Sequence, residues 1–325
     1  MMDGSSPPPR RIEPRRRILI AFAGVLAAAT GASLLGAWWW VPALIAHFRP
    51  HLATASLILL AVSALGRRRR LVALAIVLLI ANGAPLLPYL GGGARAATAG
   101  NLRILALNMH GAGTERLAFN QMMASEHPDV VVLTELPINL DHIVREAPDL
   151  PAFHVGEPQR SPWVIAVFSR WPVARWSVDR GTDGSARVLT ADICDTPAWR
   201  GCLRLVALHA PRPFGDGARR QREQLQVAAT AAAAAPDHRA ILAGDLNLTP
   251  WAPEFGHLIE AGDLRDTGPY RGLLATWLSR LPFVGLLIDH VLVSPSIGIL
   301  ANRLGPDVGS DHLPVIADLA VPTAP

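Results

Sequence analysis

Only two of the 325 residues are cysteine. Cys194 and Cys202 are separated by DTPAWRG and have no companions at ligand spacing, which excludes a thiolate zinc site. No Gly-x-Ser-x-Gly stretch occurs, so a serine nucleophile on a strained elbow has no support, and both cysteines lie away from the polar clusters described below. Nothing recurs at a solenoid period. Beyond the first ninety residues there is no basic run long enough to track a nucleic-acid backbone; Arg219, Arg220 and Arg222 occupy one helical turn, which describes a solvated face. The net charge of +4 and pI of about 9.9 therefore have another source.

Apolar residues are plentiful: half the chain is hydrophobic and the mean hydropathy is +0.28. The excess sits in the first ninety residues. Met1–Arg17 is a Pro/Ser/Arg-rich tail with no core-forming pattern, expected to be disordered. Ile18 to Val41 carries no charge and is long enough to cross a bilayer of about 30 Å. It closes on Trp38, Trp39 and Trp40, as an interfacial aromatic belt does. Leu52–Gly66 and Leu71–Leu90 are two further apolar runs. Arg10, Arg11 and Arg15–Arg17 precede the first run, Arg67–Arg70 separate the second from the third, and Arg49 alone lies between the first and second. The positive-inside rule then predicts three crossings of the cytoplasmic membrane, the tail inside and everything after Leu90 outside. A second run that dips in without crossing would leave the four-arginine cluster on the wrong side. The length of the first run, and the two behind it, argue against a cleaved signal peptide.

Cys194 and Cys202 flank a turn-rich connector between two apparent strands, so a hairpin brings them to bridging distance. An exported location permits oxidation; two unpaired small hydrophobes are the alternative.

Residues 91–100 form a Gly- and Ala-rich linker, and residues 101–325 are long enough for one domain with a sizeable core. Apolar runs predict strands at Leu102–Leu107, Val130–Leu133, Val164–Phe168, Val188–Ile193, Leu203–Leu208, Ala240–Ala243, Ile288–Val293 and Val315–Leu319. Helical periodicity is present at Glu115–Glu126, Arg219–Ala235 and Glu254–Ala261. Polar residues follow the strands: Asn108, then Thr134 and Glu135, then His209, then Asp245 and Asn247, with Asp289-His290 after Ile288 and Asp311-His312 before the last strand. In GDLN, Gly244 is expected to turn the chain, and Asp245 and Asn247 project to one side if the chain is extended. One such residue is ordinary turn chemistry. Six strand ends so marked are not.

The motifs LNMHG, LTELP, VFSRWPV, LHAP, GDLNLTP, ATW, IDHVLVS and GSDHLPV occur in that order. The set resembles the endonuclease/exonuclease/phosphatase superfamily, which includes deoxyribonuclease I, abasic-site endonucleases, sphingomyelinases and inositol-polyphosphate phosphatases. GDLN and SDHLP are its most specific parts. The resemblance implies an α+β fold, a four-layer α/β/β/α sandwich of two mostly antiparallel sheets with the active site at one rim, here preceded by the three transmembrane helices. It implies metal-dependent, in-line hydrolysis of a phosphoester or phosphoanhydride by activated water. Glu135 is then the leading ligand for Mg2+ or Mn2+, with Asn108 beside the metal and Asp311 assisting. Asp245 would orient or deprotonate the water, Asn247 and His209 would hydrogen-bond the phosphate, and His312, oriented by Asp289, would donate to a non-bridging oxygen. The role of His110 stays open; Trp277 matches the Thr-Trp position, with core packing as the alternative, and His290 is a weaker candidate than Asp289.

Three spans followed by an outer domain also resemble bacterial membrane-anchored members of the family linked to teicoplanin-type glycopeptide resistance. That architecture makes the lipid bilayer the expected partner and a lipid-linked (pyro)phosphate the expected substrate. An anchored nuclease is the alternative; a catalytically inactive binding module is disfavoured because the site residues are present.

Overall fold

The first quarter of the chain folds into helices that place their apolar side chains outward. The structure, a computed structural model, describes residues 14–36, 38–91, 100–136, 147–156, 165–182, 184, 187–281 and 284–322. Most of the expected tail and linker lies outside these residues. α1 (Pro14–Leu34) begins on a proline, favoured where the first N–H groups have no helical partner, and contains Arg15–Arg17. α2 (Trp40–Ala46) is followed by α3 (Arg49–Leu65), α4 (Arg69–Gly83) and a 3-10 turn at Ala84–Tyr89.

Two expectations change here. The apolar run Ile18–Val41 is not one helix, because α1 stops at Leu34 and α2 starts anew at Trp40. The ordering of residues 14–17 into α1 also shortens the tail. Two helices, Pro14–Leu34 and Arg69–Tyr89, are long and apolar enough to cross a membrane. A third span is reached only by joining α2 and α3, which meet at a 63° bend.

Leu26, Leu59, Ala75 and Leu78 pack the centre of the helices, beside buried Thr30, Ser56, Ser63 and Asn82. The Asn82 Nδ2 donates to Thr30 Oγ1 at 2.9 Å. Ile18, Val25, Leu57, Ile58, Val77 and Ile80 are exposed. Apolar outside and small polar inside inverts the pattern of a helix facing water.

The remainder forms two six-stranded sheets, ordered β11-β12-β1-β2-β4-β3 and β5-β6-β7-β8-β10-β9. In the first are β1 (Leu102–Asn108), β2 (Val130–Thr134), β3 (Phe153–Gly156), β4 (Ala166–Ser169), β11 (Gly298–Leu304) and β12 (Val315–Ala320). In the second are β5 (Arg175–Asp179), β6 (Val188–Cys194), β7 (Cys202–His209), β8 (Ala240–Asp245), β9 (Arg265–Asp266) and β10 (Asp289–Val293). Both sheets are mixed: β1 pairs β2 in parallel, and β7 pairs β8 in parallel. The inner faces meet through side chains such as Ile104, Val132, Leu205, Ile241 and Val291. Outer faces are covered too, by α5 (Arg116–Glu126) through Phe119, Met122 and Met123, and by α6 (Asp216–Ala233) and α7 (Pro253–Ala261) through Leu225, Phe255 and Leu258. Strands buried on both faces show unbroken apolar runs rather than alternation, which is why they were legible. Cys194 and Cys202 are directly paired across β6 and β7 and form a disulfide.

The helices are docked on this sandwich. His47, in the break between α2 and α3, is buried, and its Nδ1 lies 3.3 Å from the Thr249 N–H. Trp251 Nε1 donates to the His47 carbonyl at 2.9 Å, and Tyr89 donates to Asp266 at 2.6 Å.

Candidate active site

Strand pairing alone assembles half of the site. Parallel β7–β8 register sets His209 opposite Asp245, and antiparallel β8–β10 register sets Asp289 opposite Asp245 on its other side. Three functional side chains thus share one row. On the facing sheet, Asn108 and Thr134 are paired at the ends of β1 and β2, and Glu135 follows. The Asn108 amide nitrogen crosses between the sheets, 3.0 Å from Glu135 Oε1 and 3.0 Å from Asp245 Oδ2.

Gly244 does not turn the chain, as expected above, but lies inside β8. Its φ is +139°, and a Cβ there would sit 2.1 Å from the Leu208 carbonyl oxygen. Close approach of two backbones is what it provides, and that approach seats His209 beside Asp245. Glu135, Asn247 and His110 have φ of 50°, 47° and 48°, a region that non-glycine residues seldom occupy and that clusters at functional sites.

His312 Nδ1 is 2.8 Å from Asp289 Oδ2, and its Nε2 faces Asp245 Oδ2 at 3.9 Å. His209 Nε2 is 3.4 Å from Glu135 Oε1 and 3.5 Å from Asp245 Oδ2. The Asn247 backbone N–H donates to Asp245 Oδ1, and its amide nitrogen donates to the Ala210 carbonyl, each at 2.8 Å. Asn108 turns its nitrogen to the carboxylates, while its oxygen accepts the His110 N–H. Asp311 stands apart from Glu135 with His110 between them, 3.1 Å from Asp311 and 4.0 Å from Glu135. Trp277 Nε1 donates to Asp311 at 3.2 Å. His290 points away, its Nε2 on the Leu248 carbonyl and its ring against Phe255.

Thr276, whose only local signal is its place in ATW, accepts the backbone N–H groups of Ile288 and Asp289 at 3.0 Å each and fixes the start of β10. Ser310 donates to the Asn108 carbonyl and so ties the SDHLP loop to β1.

Burial pushes the Asp245 carboxyl above the ordinary carboxylate range and the neighbouring Asp289 charge adds to it, with His312 and His209 offsetting only part. Burial would also raise Asp289, but the charge and hydrogen bond of His312, with Thr276, hold it below that range. For His312, burial disfavours the imidazolium; the paired Asp289, then Asp245 and Asp311, outweigh it and lift the group to about 10. One carboxylate is thus poised to take a proton and one imidazole to keep one.

Glu135, His209 and Asp245 bring ligand atoms within 4.8 Å of one another, as do Asp245, Asp289 and His312. In the second group Asp289 and His312 are committed to each other. The first is the better cation site, through the two carboxylates of Glu135 and Asp245, whose oxygens suit a hard divalent ion. The residues therefore fit a divalent metal; nothing in them separates Mg2+ from Mn2+.

A cavity of about 350 Å³ opens on this cluster and has Glu135, Asp245, Asn247 and His312 on its wall. It also has Arg212, Phe214, Trp277 and Leu286, and from the helices Leu44, His47 and Phe48.

A paired sandwich with acids, amides and an Asp–His couple at one rim defines a metal-dependent phosphohydrolase. The profile of the endonuclease/exonuclease/phosphatase family matches residues 105–312, and the chain belongs to that family, whose members are hydrolases of phosphoester bonds. No curated protein matches the sequence. Among solved structures, an endonuclease/exonuclease/phosphatase from Beutenbergia cavernae is 22% identical, with a TM-score of 0.54 over 68% of this chain and 71% of its own. A 3'-5' exonuclease from Neisseria meningitidis is 18% identical, with a TM-score of 0.55 over 67% and 100%. A mannosyl-6-phosphatase from Bacteroides thetaiotaomicron is 15% identical, with a TM-score of 0.53 over 67% and 99%. These likenesses are of fold.

Proposed function

We propose that the chain is a membrane-tethered phosphohydrolase, its catalytic domain outside the cytoplasmic membrane, acting on a lipid-linked phosphate or pyrophosphate. The observation that carries this reading is the place of the α2–α3 break: His47 and its neighbours line the same cavity as Asp245 and His312. The active site thus opens beside helices whose outward faces are apolar. The arginine distribution supports an outward-facing domain, and so does the Cys194–Cys202 disulfide, since oxidising compartments favour such bonds.

In the reaction, a water oxygen forms a bond to phosphorus as the bond to the leaving oxygen breaks on the opposite side. Asp245, its carboxyl raised by burial, takes the water's proton. Asn247 and His209 hold the phosphoryl oxygens. His312, kept protonated by Asp289, donates to a non-bridging oxygen as its charge grows. Glu135 would hold a divalent ion together with Asp245, with Asn108 and Asp311 assisting, and the ion would supply charge neutralisation at the phosphate when bound.

Aromatic rings at the cavity (Phe48, Phe214, Trp277) favour one other reading, a tethered nuclease that stacks bases. The test is a substrate panel. Purified full-length protein with Mg2+ is offered farnesyl diphosphate, a phosphatidylcholine and plasmid DNA. Phosphate or headgroup release from a lipid is the expected result; rapid DNA cleavage with no turnover of lipid would overturn the proposal in favour of the nuclease.

A further inference from the structure

The catalytic cavity has two kinds of wall. One is polar and comes from Glu135, Asp245, Asn247 and His312 of the hydrolytic cluster. The other is apolar and is shared between the two parts of the chain: Leu44 comes from α2 and Phe48 from the α2–α3 break, and Phe214 and Leu286 come from loops of the sandwich. Phe48 is 43% exposed and Phe214 is 60% exposed, a costly display of aromatic surface unless something apolar covers it. The apolar surface does not stop at the mouth. The first turns of α3 (Pro50, His51, Thr54) line a second hollow with Leu273, Leu286 and Leu287, and the loop that supplies these leucines also exposes Leu274, Leu281 and Val284.

We infer that Leu44 and Phe48, with Phe214 and Leu286, form a hydrocarbon subsite that holds the first carbons of a lipid phosphate while its phosphate lies at Asp245 and His312. The inference rests on the function proposed above and makes the membrane segment part of the substrate site rather than only an anchor. A ligand with a phosphate at one end and a hydrocarbon chain at the other matches both kinds of wall. Arg212 is exposed and lines the same cavity, a cation available to a second anionic group.

The docking contacts explain how a membrane helix can serve a soluble domain's site. His47 is held by the Thr249 N–H and by Trp251 Nε1, and Thr249 lies two residues beyond Asn247. The wall that carries Leu44 and Phe48 is therefore fixed to the loop that carries a phosphate-binding residue.

The experiment compares chain length at constant headgroup. Full-length protein in detergent is assayed with farnesyl and isopentenyl diphosphate, and with dioleoyl- and dihexanoyl-phosphatidylcholine, as wild type, Leu44→Ser, Phe48→Ser, Phe48→Leu and, on the exposed face of α3, Leu57→Ser. In the wild type the long-chain partner has the higher kcat/KM. The two serine variants should cut that ratio about tenfold, mainly through KM, the scale of one large apolar contact. Phe48→Leu and Leu57→Ser should keep it. Serine variants with the wild-type ratio, or a Leu57→Ser variant that loses it equally, overturn the subsite while leaving the lipid reading intact. A wild type that turns over neither lipid class but cleaves DNA overturns both. A variant that fails to fold shows itself by losing both partners equally; the wild-type chain-length preference then carries the comparison, and a wild type that turns over short and long chains alike overturns the subsite.

Discussion

His47 and Thr249 are 202 residues apart, yet the His47 Nδ1 lies 3.3 Å from the Thr249 N–H, in a buried position two residues past Asn247. The contact joins the break in the apolar helices to the GDLNLTP loop. Replacing His47 with alanine leaves that N–H, and the Thr249 hydroxyl at 3.2 Å, without this partner. The expected cost is about 1–3 kcal/mol of stability. Limited proteolysis should then cut between the helices and the sandwich faster than in wild type; an unchanged digestion rate would show that the docking does not depend on this pair.

His312 should be the most sensitive site residue. His312→Ala removes a donor aimed at developing charge and should lower kcat by about a hundred- to a thousandfold, as loss of such donors does elsewhere. Asp245→Asn should be comparably damaging because it removes the proton acceptor. Steady-state kinetics with thermal melts separates this from misfolding: Asp245→Asn should melt near wild type, and His312→Ala, which leaves the buried Asp289 carboxylate without its partner, should melt lower but still cooperatively.

The Asp289–His312 pair has a signed pH dependence. His312 is raised from 6.5 to about 10, so its contribution to stability is complete below about 6.5 and is lost as pH rises through about 10. Asp289 is lowered, so its contribution is complete above the ordinary carboxylate range and is lost as pH falls through its depressed value. Asp289→Asn removes the main charge that outweighs burial, and the His312 imidazolium should then titrate well below the wild-type value. NMR titration of the metal-free protein, with the alkaline limb of kcat/KM as a second readout, checks this. A limb unmoved by Asp289→Asn would contradict the assignment.

Gly244→Ala should be damaging out of proportion to its size. The added methyl would meet the Leu208 carbonyl, and φ of +139° is hostile to alanine. A loss of about 1–3 kcal/mol or more is expected, with activity falling further because His209 and Asp245 are set by the same strand pair. Thermal melts and kcat measured together test the link; a stable, fully active variant would refute it.

Reduction of the disulfide, or Cys194→Ser with Cys202→Ser, opens a loop with a sequence separation of 8 residues. The expected loss is roughly 2–3 kcal/mol, or about 5–10 °C in Tm. A calorimetric scan with and without reductant reads it directly.

What was legible in the sequence follows burial. Each of the eight expected strands is an inner strand of a sheet, and the strands not foreseen, Phe153–Gly156, Arg175–Asp179, Arg265–Asp266 and Gly298–Leu304, are the four edges. Edge strands face solvent on one side and carry charges, as Arg175, Asp179 and Arg303 do, so the apolar run that marks a strand is missing from them. At the site, Asn108, Glu135, His209, Asp245, Asn247, Asp289 and His312 could be collected from their positions at strand ends. Leu44, His47, Phe48 and Phe214 could not. They act through contacts between distant segments, and nothing local in WVPALIAHF announces a cavity wall. Gly244 was noticed for the wrong reason, since a turn and a close strand contact both call for glycine.

The most direct measurement is phosphate release from farnesyl diphosphate by the full-length protein, with Mg2+, after chelation, and with His312→Ala. Release that stops on chelation, returns with added metal and is nearly abolished in the variant is the predicted result. Release that survives chelation or the loss of His312, or no release while plasmid DNA is degraded, would contradict a metal-dependent lipid phosphohydrolase built on this site.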